Sequence, residues 1–175
     1  HTDRPLPAPP LPFVGPQDDP ATGVALRTVG FGATDRSDHS DQLLGANVRD
    51  MDGPQSRCKK YGRDYEPAVM LCAGSADGEQ DAGEGDSGGP LTTVGSEPIQ
   101  VGVVSWGSEE VDRPHDRRDY PGIYARVSAY STWITEQTGI GSAPKPSPQP
   151  TNPPPSPSPS PAPNADSLSL RTVIG

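Results

Sequence analysis

Cysteine, aromatic residues and cations are all scarce in this chain. Two cysteines among 175 residues are too few for a disulfide-dense scaffold. Cys58 and Cys72 stand fourteen positions apart, which is neither a redox CxxC nor a zinc-binding pattern. They read as two free thiols or as one bridge. Aromatic residues make up 5% and hydrophobic residues 30% of the chain, with a mean hydropathy of −0.66, low for a chain that is globular throughout. Fourteen Lys and Arg face twenty-three Asp and Glu, giving a formal net charge of −9 and a pI near 4.6. A basic nucleic-acid footprint is therefore excluded. No apolar run approaches the ~18 residues of a spanning helix, and neither an internal repeat nor a signal peptide is expected within these residues. The chain opens at His1 instead of methionine, so an upstream segment is expected to have been removed by processing or truncation.

Proline, by contrast, is abundant, and its placement divides the chain. Residues 144–163 contain eleven prolines among twenty residues, interleaved with serine. Such a stretch has too few amide donors for a ladder and too few apolar groups for a core, so extended polyproline II is expected. At ~3.1 Å per residue it would span roughly 60 Å. A passive spacer is the simpler reading, and a ligand for a proline-binding module the other. The expected division is a folded portion over 1–141, a disordered Pro/Ser-rich linker over 142–165 and a tail of unassigned role over 166–175, ending Arg171-Thr172-Val173-Ile174-Gly175.

Residues 1–20 are punctuated by proline and predict an extended connector. Ala25 to Gly32 alternates and is β-branched, which predicts a strand ending in a glycine bend. Further strands are expected over 42–48, over 99–107 and over 122–127, and 68–74 is a short apolar run entering a glycine-rich loop. Ser128 is expected to cap a helix carrying Tyr130, Trp133, Ile134 and Gln137, which Gly139 stops. Many short strands, glycine turns and one terminal helix describe an all-β, antiparallel barrel closed by a helix.

The most informative string is Gly85-Asp86-Ser87-Gly88-Gly89-Pro90. At roughly 6% per residue type it should arise by chance in about one chain of this length in a hundred thousand. Its glycines allow sharp turns and close backbone approach, and two amides around one serine can converge on an oxyanion. The string resembles the nucleophile segment of trypsin-like (chymotrypsin-fold) serine proteases. Val29-Gly30-Phe31-Gly32, Met70-Leu71-Cys72-Ala73-Gly74, Val104-Ser105-Trp106-Gly107 and Pro121-Gly122-Ile123-Tyr124 follow in that family's order. The resemblance covers roughly residues 3–140. It implies the second, six-stranded Greek-key barrel of a chymotrypsin-like double barrel, with a C-terminal helix.

The resemblance also implies roles. Ser87 would be the nucleophile, and the amides of Gly85 and Ser87 the oxyanion hole. Asp81, six residues before Ser87, would sit at the base of the specificity pocket and hold an Arg or Lys cation. Gly107 and Gly122 would be wall positions whose missing side chains leave room for a long substrate residue. Ser105, Trp106 and Gly107 would offer a strand edge to an extended substrate. Asp86 would pair with the amino terminus released on activation; this chain begins His1-Thr2-Asp3, so Asp86 is expected to stand unpaired here. A secreted protein is implied as well, and with it a Cys58–Cys72 disulfide.

Two departures stand out. Gly83 and the segment after Gly107 lack a cysteine pair that many relatives use to brace the pocket. The loop from Glu109 to Tyr120 is long and strongly charged, and calcium binding there is a minor alternative with no defensible ligand spacing. No other metal and no cofactor are expected. The catalytic His and Asp of the family would lie upstream. His1, His39 and His115 lack the right context and read as surface histidines, and Asp3 looks like the linker after the catalytic aspartate. The expected function is a secreted trypsin-like endopeptidase cutting after Arg or Lys, the isolated chain being unstable and inactive without its N-terminal barrel. Protein or peptide substrates are the expected partners, with no nucleic acid and no membrane span. A non-catalytic protease homologue acting as a protein-binding module is the rival.

Overall fold

The computed structural model describes residues 9–34, 36–107 and 118–143. Strand β1 (Ala25–Gly30) buries Leu26 and Thr28 and exposes Arg27, as its alternation predicts. It pairs antiparallel with β2 (Leu44–Asp50), placing Leu26 opposite Val48. The remaining strands are β3 (Met70–Gly74), β4 (Pro90–Thr93), β5 (Gln100–Trp106) and β6 (Gly122–Arg126). Their order around the sheet is β1-β2-β3-β6-β5-β4, and β4 returns to β1, so the sheet closes on itself. All ladders are antiparallel. This is the expected six-stranded Greek-key barrel. Helix α1 (Val127–Thr138) follows β6 directly.

Leu26, Val48, Leu71, Leu91, Val101 and Tyr124 fill the barrel interior. β3 and β6 are apolar on both faces for a specific reason. Leu71 and Tyr124 point into the barrel, while Cys72 and Ile123 point outward under a 3₁₀ segment, Arg57–Asp64, that supplies Cys58 and packs with Tyr65. The Cys58–Cys72 disulfide pins that segment to β3. Closing a loop of fourteen residues contributes about 3 kcal/mol in the chain-entropy picture.

Two expectations need correction. The connector over 1–20 is more than a spacer, because Phe13 and Val14 are buried core residues and Val14 N–H donates to the Gln100 carbonyl at 3.0 Å. Ser128 does not cap α1: the flanking residue is Arg126, and the Ser128 hydroxyl donates to Asp19 Oδ1 at 2.5 Å. Tyr130 and Trp133 lie on the helix but face solvent, Trp133 at 61% exposure. Gly139 does end the helix, in the left-handed conformation with its N–H on the Thr135 carbonyl at 2.8 Å. β4 and the 3₁₀ segment carry no periodic signal and were not foreseen. Residues 144–175 of the expected linker and tail lie outside the described residues.

An ionic knot anchors the far end of β6. Arg126 reaches Asp19 at 3.0 Å, pairs with Asp52, and donates to the Pro67 and Met70 carbonyls at 3.0 and 2.7 Å. Asp52 also accepts from the Tyr65 hydroxyl at 2.6 Å and the Cys72 amide at 3.0 Å. Asp50 stands beside it, 2% exposed. One oxygen accepts the Asp52 amide at 2.9 Å and the other has no hydrogen-bond partner among the described residues. Burial, then the Asp52 charge, pushes the Asp50 carboxyl up to about 7. The folded state therefore keeps a proton that the unfolded chain has lost above its ordinary value of 3.8. Stability from this group is present below pH ~4 and is lost as pH rises to ~7, at about 1.4 kcal/mol per pH unit and about 4 kcal/mol in all. Asp50→Asn should remove that slope. Urea unfolding of both proteins at pH 5 and 7.5 checks it, and parallel pH profiles would refute the assignment.

Candidate active site

The glycine-rich turn between β3 and β4 is held by its own backbone. Asp86 N–H donates to the Gly83 carbonyl at 3.1 Å and Gly89 N–H to the Asp86 carbonyl at 2.9 Å. Two bonds of 2.9 Å, Gly88 N–H to Val104 and Val104 N–H to Gly89, tie the turn to β5. The Glu84 carbonyl accepts the Ala33 N–H at 2.7 Å. In a trans peptide the C=O and N–H point opposite ways, so this bond turns the Gly85 N–H away from Ala33. Gly85 adopts φ +87°, where a side chain would be strained. Among the described residues, the amides of Gly85 and Ser87 meet no acceptor. Ser87 is exposed and lines a cavity of about 690 Å³.

Asp86 lies behind the turn, where backbone amides hold its carboxylate. Its carboxylate accepts the Gly32 amide at 2.8 Å and the Gly83 amide at 2.9 Å. These bonds hold the turn against the end of β1 and offset the cost of a half-buried charge. These donors are backbone amides, which residue type does not mark.

Asp81, Ser105, Trp106, Gly107 and Gly122 line the same cavity as Ser87, so the fold brings together the residues that the sequence singled out. The Asp81 carboxylate accepts bonds from the Ala82 amide at 2.8 Å, the Gly122 amide at 2.8 Å and the Tyr124 hydroxyl at 3.0 Å. Burial and the Asp81 charge push the Tyr124 phenol well above its ordinary value, so it stays a donor. A Cβ at Gly122 would come within 2.7 Å of Asp81 Oδ1. Glycine there admits the carboxylate itself. A Cβ at Gly107 would meet nothing within 4 Å among the described residues. Ser105 is exposed at a β-bulge, where the β5–β6 register shifts between Val104 and Trp106.

The site also holds residues that sequence reasoning missed. Tyr124 read only as part of a strand, and nothing in its spacing marks it as a partner of Asp81. Tyr61 packs edge-on against Trp106 and Tyr120, with ring centroids 4.8 and 5.4 Å apart, and its hydroxyl donates to the Pro121 carbonyl at 3.0 Å. These contacts tie the β5 wall to the β6 wall, where a cysteine pair is missing. His39 is exposed, 3.7 Å from Asp41, and does not line the cavity. His1, Asp3, His115 and residues 109–117 of the charged loop, including the calcium suggestion made for it, lie outside the described residues. Among the described residues no group of three His, Cys, Asp or Glu is placed to hold a metal, and no helix is long and apolar enough to cross a membrane.

Comparison with known proteins agrees with this geometry. The trypsin family model matches residues 4–134. The chain is 40% identical over 121 residues to trypsin eta of Drosophila melanogaster, covering 69% of this chain and 43% of that protein. It is 34% identical over 123 residues to mouse kallikrein-1, covering 69% and 44%. It is 38% identical over 125 residues to mouse transmembrane protease serine 11E, covering 67% and 27%. The chain thus spans less than half the length of these curated relatives.

Proposed function

The chain belongs to the trypsin family of serine proteases, and from that premise we propose that the full-length protein is an endopeptidase cutting after Arg or Lys. Asp81 and Ser87 on one cavity carry this reading. A carboxylate fixed by amide and hydroxyl donors suits a guanidinium or ammonium group. Its placement would bring the next carbonyl carbon to Ser87 Oγ.

The proposed chemistry is acyl transfer. Ser87 Oγ attacks that carbon while an upstream histidine, oriented by an upstream aspartate, takes its proton. The unclaimed amides of Gly85 and Ser87 receive the oxyanion, at about 3–4 kcal/mol per donor. The leaving amine departs with the proton from the histidine, and water then releases the acid by the same route. Ser105 to Gly107 pairs with the extended substrate. Peptides with Arg or Lys at the cut, and an N-terminal barrel of the same protein, are the proposed partners. Exposed Phe31, Leu43 and Trp133 fit the latter. The Cys58–Cys72 bridge supports a secreted location.

A fluorophosphonate probe applied to the full-length protein tests the proposal. Covalent label on the peptide containing Ser87, reduced by a competing aryl amidine, is the expected result. An unlabelled, folded protein would instead favour a non-catalytic homologue that binds partners through the same cavity.

A further inference from the structure

One patch of this acidic chain gathers cations among the described residues, and it borders the cavity. Among the described residues, Arg57, Lys60 and Arg118 gather around one carboxylate, that of Asp119. Lys60 Nζ lies 3.1 Å from Asp119 Oδ2 and Arg118 Nε 4.0 Å from Oδ1, while Arg57 donates to the Arg118 carbonyl at 2.9 Å. These cations, Lys60 first, hold the Asp119 carboxyl below the usual carboxylate range. Among the described residues, three cations stand against one carboxylate here. Lys60 also stands 5.7 Å from the centre of the Tyr120 ring, and Tyr120 lines the cavity that contains Ser87 and Asp81. The Tyr61 packing against Trp106 and Tyr120 fixes this patch beside the β5 edge.

We propose that Lys60, with Arg57 and Arg118, selects substrates carrying acidic residues upstream of the cut. The inference rests on the protease reading above, because it needs an extended peptide running along Ser105 to Gly107. A peptide whose basic side chain fills the cavity continues upstream along that edge, toward Trp106 and Tyr120. Aspartate or glutamate there meets these cations and shares Lys60 with Asp119. The same field repels lysine or arginine at those positions. Because the side chains are about half exposed, at 47% for Lys60 and 46% for Asp119, the attraction is modest and yields to salt.

The test uses the full-length protein and three anilides, Asp-Asp-Gly-Gly-Arg, Ala-Ala-Gly-Gly-Arg and Lys-Lys-Gly-Gly-Arg, beside benzoyl-Arg-anilide. The expected kcat/KM favours the acidic over the alanine peptide about threefold to tenfold at low salt, and about equally at 0.5 M salt. Lys60→Glu should reverse the order and Lys60→Gln should flatten it, with benzoyl-Arg-anilide unaffected by either. Equal rates for the wild type, or a preference that survives Lys60→Glu, would overturn the proposal. If no anilide is cut, the protease reading fails, and the patch is then judged by anisotropy of the labelled acidic peptide. Salt-sensitive binding abolished by Lys60→Glu upholds the site, and absent or unchanged binding refutes it.

Discussion

Replacing Ser87 with alanine in the full-length protein is expected to lower kcat for an Arg-anilide by about 10⁵–10⁶-fold, the scale seen when a serine nucleophile acting with its base is removed. The fall should sit in kcat. Asp81 and the cavity walls remain, so an Arg-containing substrate still binds and KM should change little. The fold should also be unaffected. Ser87 is exposed and its hydroxyl has no hydrogen-bond partner among the described residues, so the change belongs to the class of surface substitutions worth within about 0.5 kcal/mol. Residual turnover above the uncatalysed rate is expected from the Gly85 and Ser87 amides. Hydrolysis by Ser87→Ala at even a tenth of the wild-type rate would remove this residue from the chemistry.

Asp81→Asn should have the second-largest effect, and on specificity. Leaving a substrate cation in the cavity without its carboxylate costs about 3–5 kcal/mol, so kcat/KM for Arg and Lys anilides should fall by about 10²–10⁴-fold. Anilides of uncharged residues should lose far less, because Ser87 and the two amides are untouched. The geometry adds a second consequence. Asp81 receives the Ala82 amide, the Gly122 amide and the Tyr124 hydroxyl, and asparagine has one oxygen where aspartate has two. Its amide nitrogen must face at least one of those donors, so the variant should also be less stable, by about 1–3 kcal/mol. Parallel kinetics on both substrate classes, with urea unfolding, separate the two effects. Equal losses for charged and uncharged substrates would mean that Asp81 does not read the cation.

Much of this molecule is legible along the chain, for reasons that are local. Alternation over Ala25–Gly30 and the β-branched run over Gln100–Trp106 mark strands because a pleated ribbon buries every second side chain. Gly139 marks a helix end because it accepts a left-handed φ. The nucleophile turn is legible because its glycines and serine are consecutive, so its own backbone bonds shape it. Where the reading failed, the deciding contact came from elsewhere. Phe13 and Val14 look like linker until β5 accepts them as a neighbour. Ser128 looks like a cap until Asp19, 109 positions away, takes its hydroxyl. β4 is four residues long, and only its pairing with β1 and β5 makes it a strand.

The candidate site divides the same way. The family resemblance singles out Ser87, Gly85, Asp86 and Asp81 together, and it can be drawn because they are neighbours in one stretch of chain. What the set faces was decided by barrel closure. β6 brings Gly122 and Tyr124 to Asp81 across 41 and 43 positions. The 3₁₀ segment, held by the Cys58–Cys72 bridge, brings Tyr61 to Trp106 and Lys60 to Asp119. The far end of β6 gathers Asp19 and Asp52 around Arg126, with Asp50 buried beside them. A charge or a hydroxyl carries no record of its distant partner, since side-chain patterning reports only whether a position faces the core. Strand order and register choose the partner, and they exist only once the sheet has closed.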